Sequence, residues 1–385
     1  MPRKAKRRRV CFVTGTRAEF GLMQSTLRAL RDHHAIELQL IATGLHAQPS
    51  HRAMRDEIGR AGWKIDAMVP WDEDARPIGI ARAMGLATAG LADAFGRLQS
   101  DVVLVVGDRV EAFAAASAAH VSGRVVAHVH GGDRAMGQVD DALRHAISKL
   151  AHVHFCATRE SRDRLFQMGE DRERIRVVGA PGIDGIRRDA LSSRRVREAI
   201  ELDLNEDDFA VLLLHPTNHD DPLEATRARM LLDATRASFN GHIIALMPNS
   251  DPGSMGIRRV LKAAAARRGQ IRLLDHAERP MFLGMMRDCT TLIGNSSSGV
   301  IEAGSFGTPV LDVGPRQQGR ERGPNVRHVE WNLPALCAAI RKTLRQRRTR
   351  PADNPYERGG AGRRIAAALA MMKIDADLRR KVIRY

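Results

Sequence analysis

The stretch Asp101–Ala119, DVVLVVGDRVEAFAAASAA, decides the fold. Asp101–Val106 is a short apolar run of strand length, Gly107-Asp108-Arg109 ends it, and Glu111–Ala119 reads as a helix. Working outward, the same alternation recurs on both sides, which is the pattern of a parallel α/β sheet. Upstream, Val10–Val13 ends in Thr14-Gly15-Thr16 with a helix opening near Ala18, and Ile36–Thr43 ends at Gly44. Downstream, Val125–Val129 ends in His130-Gly131-Gly132-Asp133, followed by Val153–Ala157 and Ile175–Val178.

Between Gly185 and Asn205 the chain becomes arginine-rich and loses strand character, which marks a domain boundary. The cycle then restarts. Phe209–Leu214 ends in His215-Pro216-Thr217-Asn218, and His242–Met247 ends in Pro248-Asn249-Ser250-Asp251. Ile271–Leu274, Thr291–Ile293 and Val310–Val313 complete a second sheet, and helical patterns fill Pro334–Gln346 and Gly360–Met372. Two such units imply a ligand cleft between them, with the informative residues at the carboxyl ends of the strands.

The length agrees: 385 residues, at about 150 per domain, suggest two domains. With 43% apolar and 28% charged residues the chain can bury a sizeable core, which excludes disordered and collagen-like classes. The 61 Lys and Arg outnumber the 45 Asp and Glu, for a net charge of +16. Six of those basic residues lie in Met1–Arg9 and six more in Arg341–Arg350. The body is therefore only mildly basic, which suits an anionic ligand better than nucleic-acid coating. Aromatic residues, at 4%, are too few for base-stacking platforms. The tail Met1–Arg9 is expected to be a solvated, disordered segment. The four cysteines (Cys11, Cys156, Cys289, Cys337) show no CxxC pair and no zinc spacing, so core positions in a reducing compartment are expected. No apolar stretch reads as a signal-peptide core or membrane span, and a soluble, cytoplasmic protein is expected.

Three strand ends carry chemistry. Gly294-Asn295-Ser296-Ser297-Ser298-Gly299 opens a helix, where free N–H groups, hydroxyls and the helix dipole favour a phosphate. An ordinary serine cap is the alternative. Gly107-Asp108-Arg109 sets a carboxylate and a guanidinium side by side, and a strand-end carboxylate suits acid–base work. His128, His130, Asp133, Asp140, Asp141, Arg144 and His145 form an unusually ionisable run whose spacing matches no established metal geometry.

With these pieces in place, the chain resembles the hydrolysing UDP-N-acetylglucosamine 2-epimerase family, in the branch that feeds sialic-acid-type sugars. The resemblance runs from Val10 to about Ala370. Its most specific stretches are Thr14–Gly21, Gly107–Glu111, His128–Lys149 and Gly294–Val326, the last reading GNSSSGVIEAGSFGTPVLDVGPRQQGRERGPNV. Asn354-Pro355-Tyr356 also looks like the family's turn before its final helices. The resemblance implies an α/β fold of two Rossmann-like domains in a GT-B-type arrangement, with the active site in the interdomain cleft. The expected limits are residues 10–185 for the N-terminal domain and 186–365 for the nucleotide-binding domain, with a helix in 366–385 packing back on the first. The implied partner is a nucleotide sugar, bound by a homodimer or homotetramer with no cofactor, no metal, no nucleic acid and no membrane.

The implied reaction removes the proton at C2 as the nucleoside diphosphate leaves C1. Water then adds to the glycal, giving the free 2-epimer, N-acetylmannosamine in the standard case. Asp108 and Asp140 match the family's catalytic carboxylates, and His215 a histidine near the leaving group. Ser296, Ser297 and Arg316 match diphosphate ligands, Glu302 the ribose-holding residue, and Arg17 and Arg109 nucleotide-side arginines. Asn249 matches a further contact from the second domain. A nucleotide-sugar-dependent glycosyltransferase of the same fold is the alternative, but it leaves Asp108, His130, Asp133 and Asp140 without a shared purpose.

One departure bears on the substrate. Members acting on UDP-N-acetylglucosamine often carry a catalytic glutamate, in His-x-Glu-Gly-Gly-Glu, where this chain has His130. Here the stretch reads His128-Val129-His130-Gly131-Gly132-Asp133. The histidine form resembles the sub-branch acting on diacetamido-trideoxy sugars linked to UDP or GDP, with proton transfer falling to His130 or to Asp133.

Overall fold

The computed structural model describes residues 7–74, 76–134, 140–203, 208–248, 252–267, 269–382 and 384. The chain divides into two compact units, Met1–Asp133 with Gln138–Asp184 and Arg358–Tyr385, and Arg134–Gly137 with Gly185–Glu357.

The first unit holds a seven-stranded sheet of β1 (Arg8–Thr14), β2 (Ile36–Ala42), β3 (Ala67–Met68), β4 (Val102–Val106), β5 (Val125–Val129), β6 (Val153–Cys156) and β7 (Ile175–Val177), in the order β3-β2-β1-β4-β5-β6-β7. Every pairing is parallel. A parallel sheet is covered on both faces, so alternate side chains of one strand enter two cores. Val10 and Phe12 of β1 join Leu104 of β4 in one core, while Cys11 and Val13 join Val103 and Val105 in the other. That double burial is why these strands read as unbroken apolar runs.

The second unit holds β8 (Phe209–Leu213), β9 (His242–Leu246), β10 (Ile271–Leu274), β11 (Thr291–Gly294), β12 (Val310–Val313) and β13 (Val326–Val329), all parallel, in the order β10-β9-β8-β11-β12-β13. In each sheet the winding reverses once, between β1 and β4 and between β8 and β11. Crevices at such switch points are where open α/β sheets take ligands.

The structure departs from the sequence reading in four places. Strand β1 begins at Arg8, so Arg8 and Arg9 belong to the sheet and not to a tail. Arg9 N–H donates to Asp101 Oδ2 at 2.8 Å, and the Arg8 guanidinium binds the Leu369 and Ala370 carbonyls. The remaining residues 1–6 lie outside the described residues. Edge strands β3 and β13 were not foreseen: β3 has two residues, and β13 reads Val-Arg-His-Val, half-buried throughout. The helix Pro77–Leu98, 22 residues long, was also missed, although its length and composition are those of a membrane-spanning helix. Six alanines and four glycines are scattered among its apolar residues, and Ala87, Leu91, Ala94 and Phe95 pack into the sheet core. Finally, the chain rejoins the first unit from Arg358 and its helix begins at Ala361, upstream of residue 366. The Asp184 carboxylate accepts from the backbone N–H groups of Gly360, Ala361 and Gly362 at 2.8, 3.0 and 2.8 Å. Those are the orphan donors of that helix start.

Candidate active site

In the first unit the candidate residues gather at the ends of β1, β4 and β5. After β1, Thr16 caps the helix Arg17–Leu22 in a reciprocal capping box with Glu19. Glu19 Oε2 accepts from the N–H groups of Gly15 and Thr16 at 3.0 and 2.9 Å. Burial and the nearby Glu111 carboxylate push Glu19 up to about 7, against the lowering effect of Arg109. Glu111 fills the notch between two turns. Gly44 has φ +55°, and a Cβ there would lie 2.6 Å from Glu111 Oε1, so a side chain is excluded on both counts. Arg17 is half-buried and paired with Glu57 at 3.1 Å.

After β4, Asp108 and Arg109 take separate partners. Arg109 pairs with Glu111 at 3.2 Å. Asp108 pairs with Arg144, whose side chain is only 3% exposed. Arg144 projects from the helix Asp140–Leu150, and its second fork nitrogen, Nη1, donates to the carbonyl of His130 at 3.1 Å. A planar guanidinium suits this two-pronged task. Sequence reasoning placed Arg144 in the ionisable run but gave it no role. The signal was its position four residues after Asp140, on the same helix face.

After β5, His130 has φ +63°, a backbone conformation uncommon outside glycine that at functional sites tends to be enforced by its surroundings. His130 N–H donates to the Phe155 carbonyl at 3.0 Å, and Arg144 holds its own carbonyl. Its Nδ1 lies 2.8 Å from Asp133 Oδ2, while Asp133 Oδ1 accepts from Ser161 Oγ at 2.7 Å. Burial raises the Asp133 carboxyl, but His130, Arg144 and Ser161 outweigh it and hold the group well below the usual carboxylate range. Both oxygens of Asp133 are thus spent inside the protein. His128 is a core residue: burial lowers it to about 3, with Nε2 bound to the Gly107 carbonyl at 2.7 Å and Nδ1 to Ser148 Oγ at 3.1 Å. Asp140 is the first residue of its helix and is half-buried. Among the described residues, no three His, Cys, Asp or Glu side chains are grouped as a metal ion would need.

In the second unit the switch point is closed by one reciprocal clamp. His215 N–H donates to Asn295 Oδ1 at 2.7 Å, and Asn295 Nδ2 donates back to the His215 carbonyl at 2.8 Å. This brings the half-buried His215, after β8, beside the serine turn after β11. Gly294 has φ +146°, and a Cβ there would lie 1.9 Å from the Leu213 carbonyl oxygen, so only glycine lets the two backbones meet. Ser296 caps the helix Ser297–Ile301, its Oγ 2.8 Å from Ser298 Oγ. That helix has only five residues, so the anion-binding capacity here lies in local N–H and hydroxyl donors more than in a long macrodipole. Arg316 reaches the turn from after β12, its Nη1 donating to the Asn295 carbonyl at 3.2 Å. Glu302 is buried and paired with Arg279 at 2.8 Å. Asn249 lies outside the described residues.

Two parallel α/β units, each with its polar residues at the switch point of its sheet, define a nucleotide-handling protein of the two-Rossmann-domain class. The chain belongs to the UDP-N-acetylglucosamine 2-epimerase family, whose model matches residues 28–370. It is 36% identical over 382 residues to the hydrolysing UDP-N,N'-diacetylbacillosamine 2-epimerase of Legionella pneumophila, covering 98% of this chain and 100% of that one. It is 30% identical to the hydrolysing GDP/UDP-N,N'-diacetylbacillosamine 2-epimerase of Campylobacter jejuni, over 85% of each chain. The crystal structure of UDP-GlcNAc 2-epimerase from Neisseria meningitidis bound to UDP-GlcNAc shares the fold, with a TM-score of 0.78 at 20% identity over 94% of this chain and 99% of that one. Nothing in these likenesses favours a glycosyltransferase.

Proposed function

We propose that the protein hydrolyses a UDP-linked 2,4-diacetamido-trideoxy sugar of the diacetylbacillosamine type to the free 2-epimer and UDP. The observation that carries this reading is the single group formed by Asp108, Arg144 and His130 beside the start of the Asp140 helix. A glycosyltransferase reading leaves this group without a shared purpose. The substrate class is supported by His130 in place of the glutamate of UDP-N-acetylglucosamine enzymes, and by the likeness to the Legionella UDP-N,N'-diacetylbacillosamine 2-epimerase.

The chemistry divides between the two residue sets. Ser296, Ser297 and Arg316 take the diphosphate, Glu302 the ribose, and Arg17 and Arg109 further negative charge. The family resemblance assigns His215 to the leaving-group side and Asn249 to a further contact from the second domain. Asp108, His130 and Asp140 handle protons. One of them takes the C2 proton while the C1–O bond breaks, its electron pair leaving with UDP, so that a C1–C2 double bond forms. Water then adds its hydroxyl to C1, and a proton returns to C2 on the opposite face. Expelling the diphosphate needs donors set in advance where charge develops. Buried thiols Cys11, Cys156 and Cys289 are all free, which supports a reducing, cytoplasmic setting; the family resemblance supports a homodimer or homotetramer.

The test is incubation in D2O, without acceptor, with UDP-N,N'-diacetylbacillosamine, UDP-N-acetylglucosamine and the GDP-linked diacetamido sugar. The expected result is the substrate's nucleoside diphosphate and a free 2-epimer carrying one deuterium at C2, fastest with the first substrate. A requirement for an acceptor, or release of sugar with its C2 configuration retained, overturns the reading.

A further inference from the structure

We infer that Asp133, anchored by Ser161 and Thr158, is a positioning residue that fixes His130 with its proton on Nδ1 and so presents Nε2 as the proton-accepting nitrogen. The inference rests on the epimerase reading for its catalytic consequence, and on the geometry alone for the tautomer.

The polarity follows from counting donors along one chain of contacts. Thr158 caps the helix Arg159–Gln167 and accepts from Ser161 N–H at 3.1 Å. Its hydroxyl lies 2.9 Å from Ser161 Oγ, and Ser161 Oγ lies 2.7 Å from Asp133 Oδ1. An ionised carboxylate accepts and never donates. Ser161 therefore gives its single hydroxyl proton to Asp133, and Thr158 gives its own to Ser161. The second Asp133 oxygen, 2.8 Å from His130 Nδ1, also accepts, so Nδ1 carries the proton. In the neutral imidazole the lone pair then falls on Nε2, which makes no hydrogen bond among the described residues. The alternative assignment, a proton on Nε2, sets the Nδ1 lone pair against a carboxylate at 2.8 Å.

The surroundings make this arrangement hard to escape. Asp133 and Ser161 are 6% and 3% exposed, so water does not compete for the carboxylate. His130 is held by its backbone at both ends in a left-handed conformation. The ring is thus aimed by its backbone and set in tautomer by Asp133. The same logic, a buried carboxylate orienting a histidine base, operates in hydrolytic triads.

The experiment combines ligand-free ¹⁵N-histidine spectra, with His130 assigned by difference against His130→Gln, and steady-state kinetics with UDP-N,N'-diacetylbacillosamine. Wild-type His130 is expected as the Nδ1–H tautomer. In Asp133→Asn the side-chain amide donates instead, so the ring should shift toward the Nε2–H form. Turnover should fall by about 10²–10⁴-fold while UDP affinity stays within about twofold. Ser161→Ala, a milder change that covers the case in which Asp133→Asn does not fold, should move the spectrum and turnover the same way but less. An Nε2–H His130 in the wild type, or a tautomer indifferent to both substitutions, overturns the inference. If the wild-type protein releases no nucleoside diphosphate from any nucleotide sugar, the epimerase reading fails, and the spectra still decide the role of Asp133.

Discussion

Arg144 grips Asp108 through one nitrogen of its fork and the His130 carbonyl through the other. The two candidate proton-handling groups, from the ends of neighbouring strands β4 and β5, are therefore set by one buried side chain. Arg144→Lys keeps the charge but cannot make both contacts in one plane. Losing one charge-assisted hydrogen bond costs about 1.5–3 kcal/mol, so turnover should fall about 10–100-fold, with UDP affinity unchanged by calorimetry. Wild-type turnover in this variant would show that Asp108 and His130 do not depend on Arg144 for their placement.

Asp108→Asn tests the first chemical step. The amide retains the shape and can still accept from Arg144, so the thermal transition should stay close to wild type. Deuterium incorporation at C2 and UDP release should fall together by about 10²–10⁴-fold. Should deuterium enter C2 at the normal rate, the base is another residue and Asp108 serves only to hold Arg144.

Arg316→Ala addresses the leaving group. Its Nη1 contact with the Asn295 carbonyl sets the guanidinium at the serine turn. Removing a charge-assisted phosphate contact should weaken UDP binding by about 1.5–3 kcal/mol, roughly 10–100-fold in Kd. The deficit should shrink as salt screens the charge in the wild type. Unaltered UDP affinity at low salt would remove Arg316 from the diphosphate site.

Much of this arrangement was legible in the sequence because parallel strands buried on both faces appear as apolar runs, and their turns as glycines. Asp108, His130, Ser296 and Arg316 all sit where strand ends were read. What was hidden depended on distance along the chain or on weak hydrophobicity. Arg144 meets Asp108 across 36 residues, and only the phase of the Asp140 helix aims it there. Ser161 meets Asp133 across 28, with no local pattern to announce it. The helix Pro77–Leu98 is built largely from alanine and glycine, which blur its apolar face. The expected helix dipole behind Ser296 shrank to a single turn because the chain enters a 3₁₀ segment, Ala303–Phe306.

The last prediction concerns acid stability of the C-terminal segment. Glu170 is buried and accepts from His154 Nε2 at 2.9 Å, from Lys149 Nζ at 3.1 Å and from Lys381 Nζ. Lys381 follows the last helical turn Ala376–Arg379, so this carboxylate ties the end of the chain into the first unit. Burial raises the Glu170 carboxyl, but His154 and Lys381 outweigh it and bring it down to about 2. A group depressed on folding contributes stability above its unfolded value, near 4.5, and loses it as pH falls toward the folded value. The window is therefore roughly pH 4.5 to 2, and a difference of that size corresponds to about 3 kcal/mol. Glu170→Gln should lower the thermal transition at pH 7, where the wild type has its full contribution, and should flatten the fall between pH 4.5 and 3. Lys381→Met should give a partial version of the same result, with amide exchange accelerated in Asp375–Lys381. An acid profile of Glu170→Gln parallel to the wild type would show that the carboxylate is not held ionised by its partners, and that the segment is kept in place by Ile374 and Leu378 packed against the core.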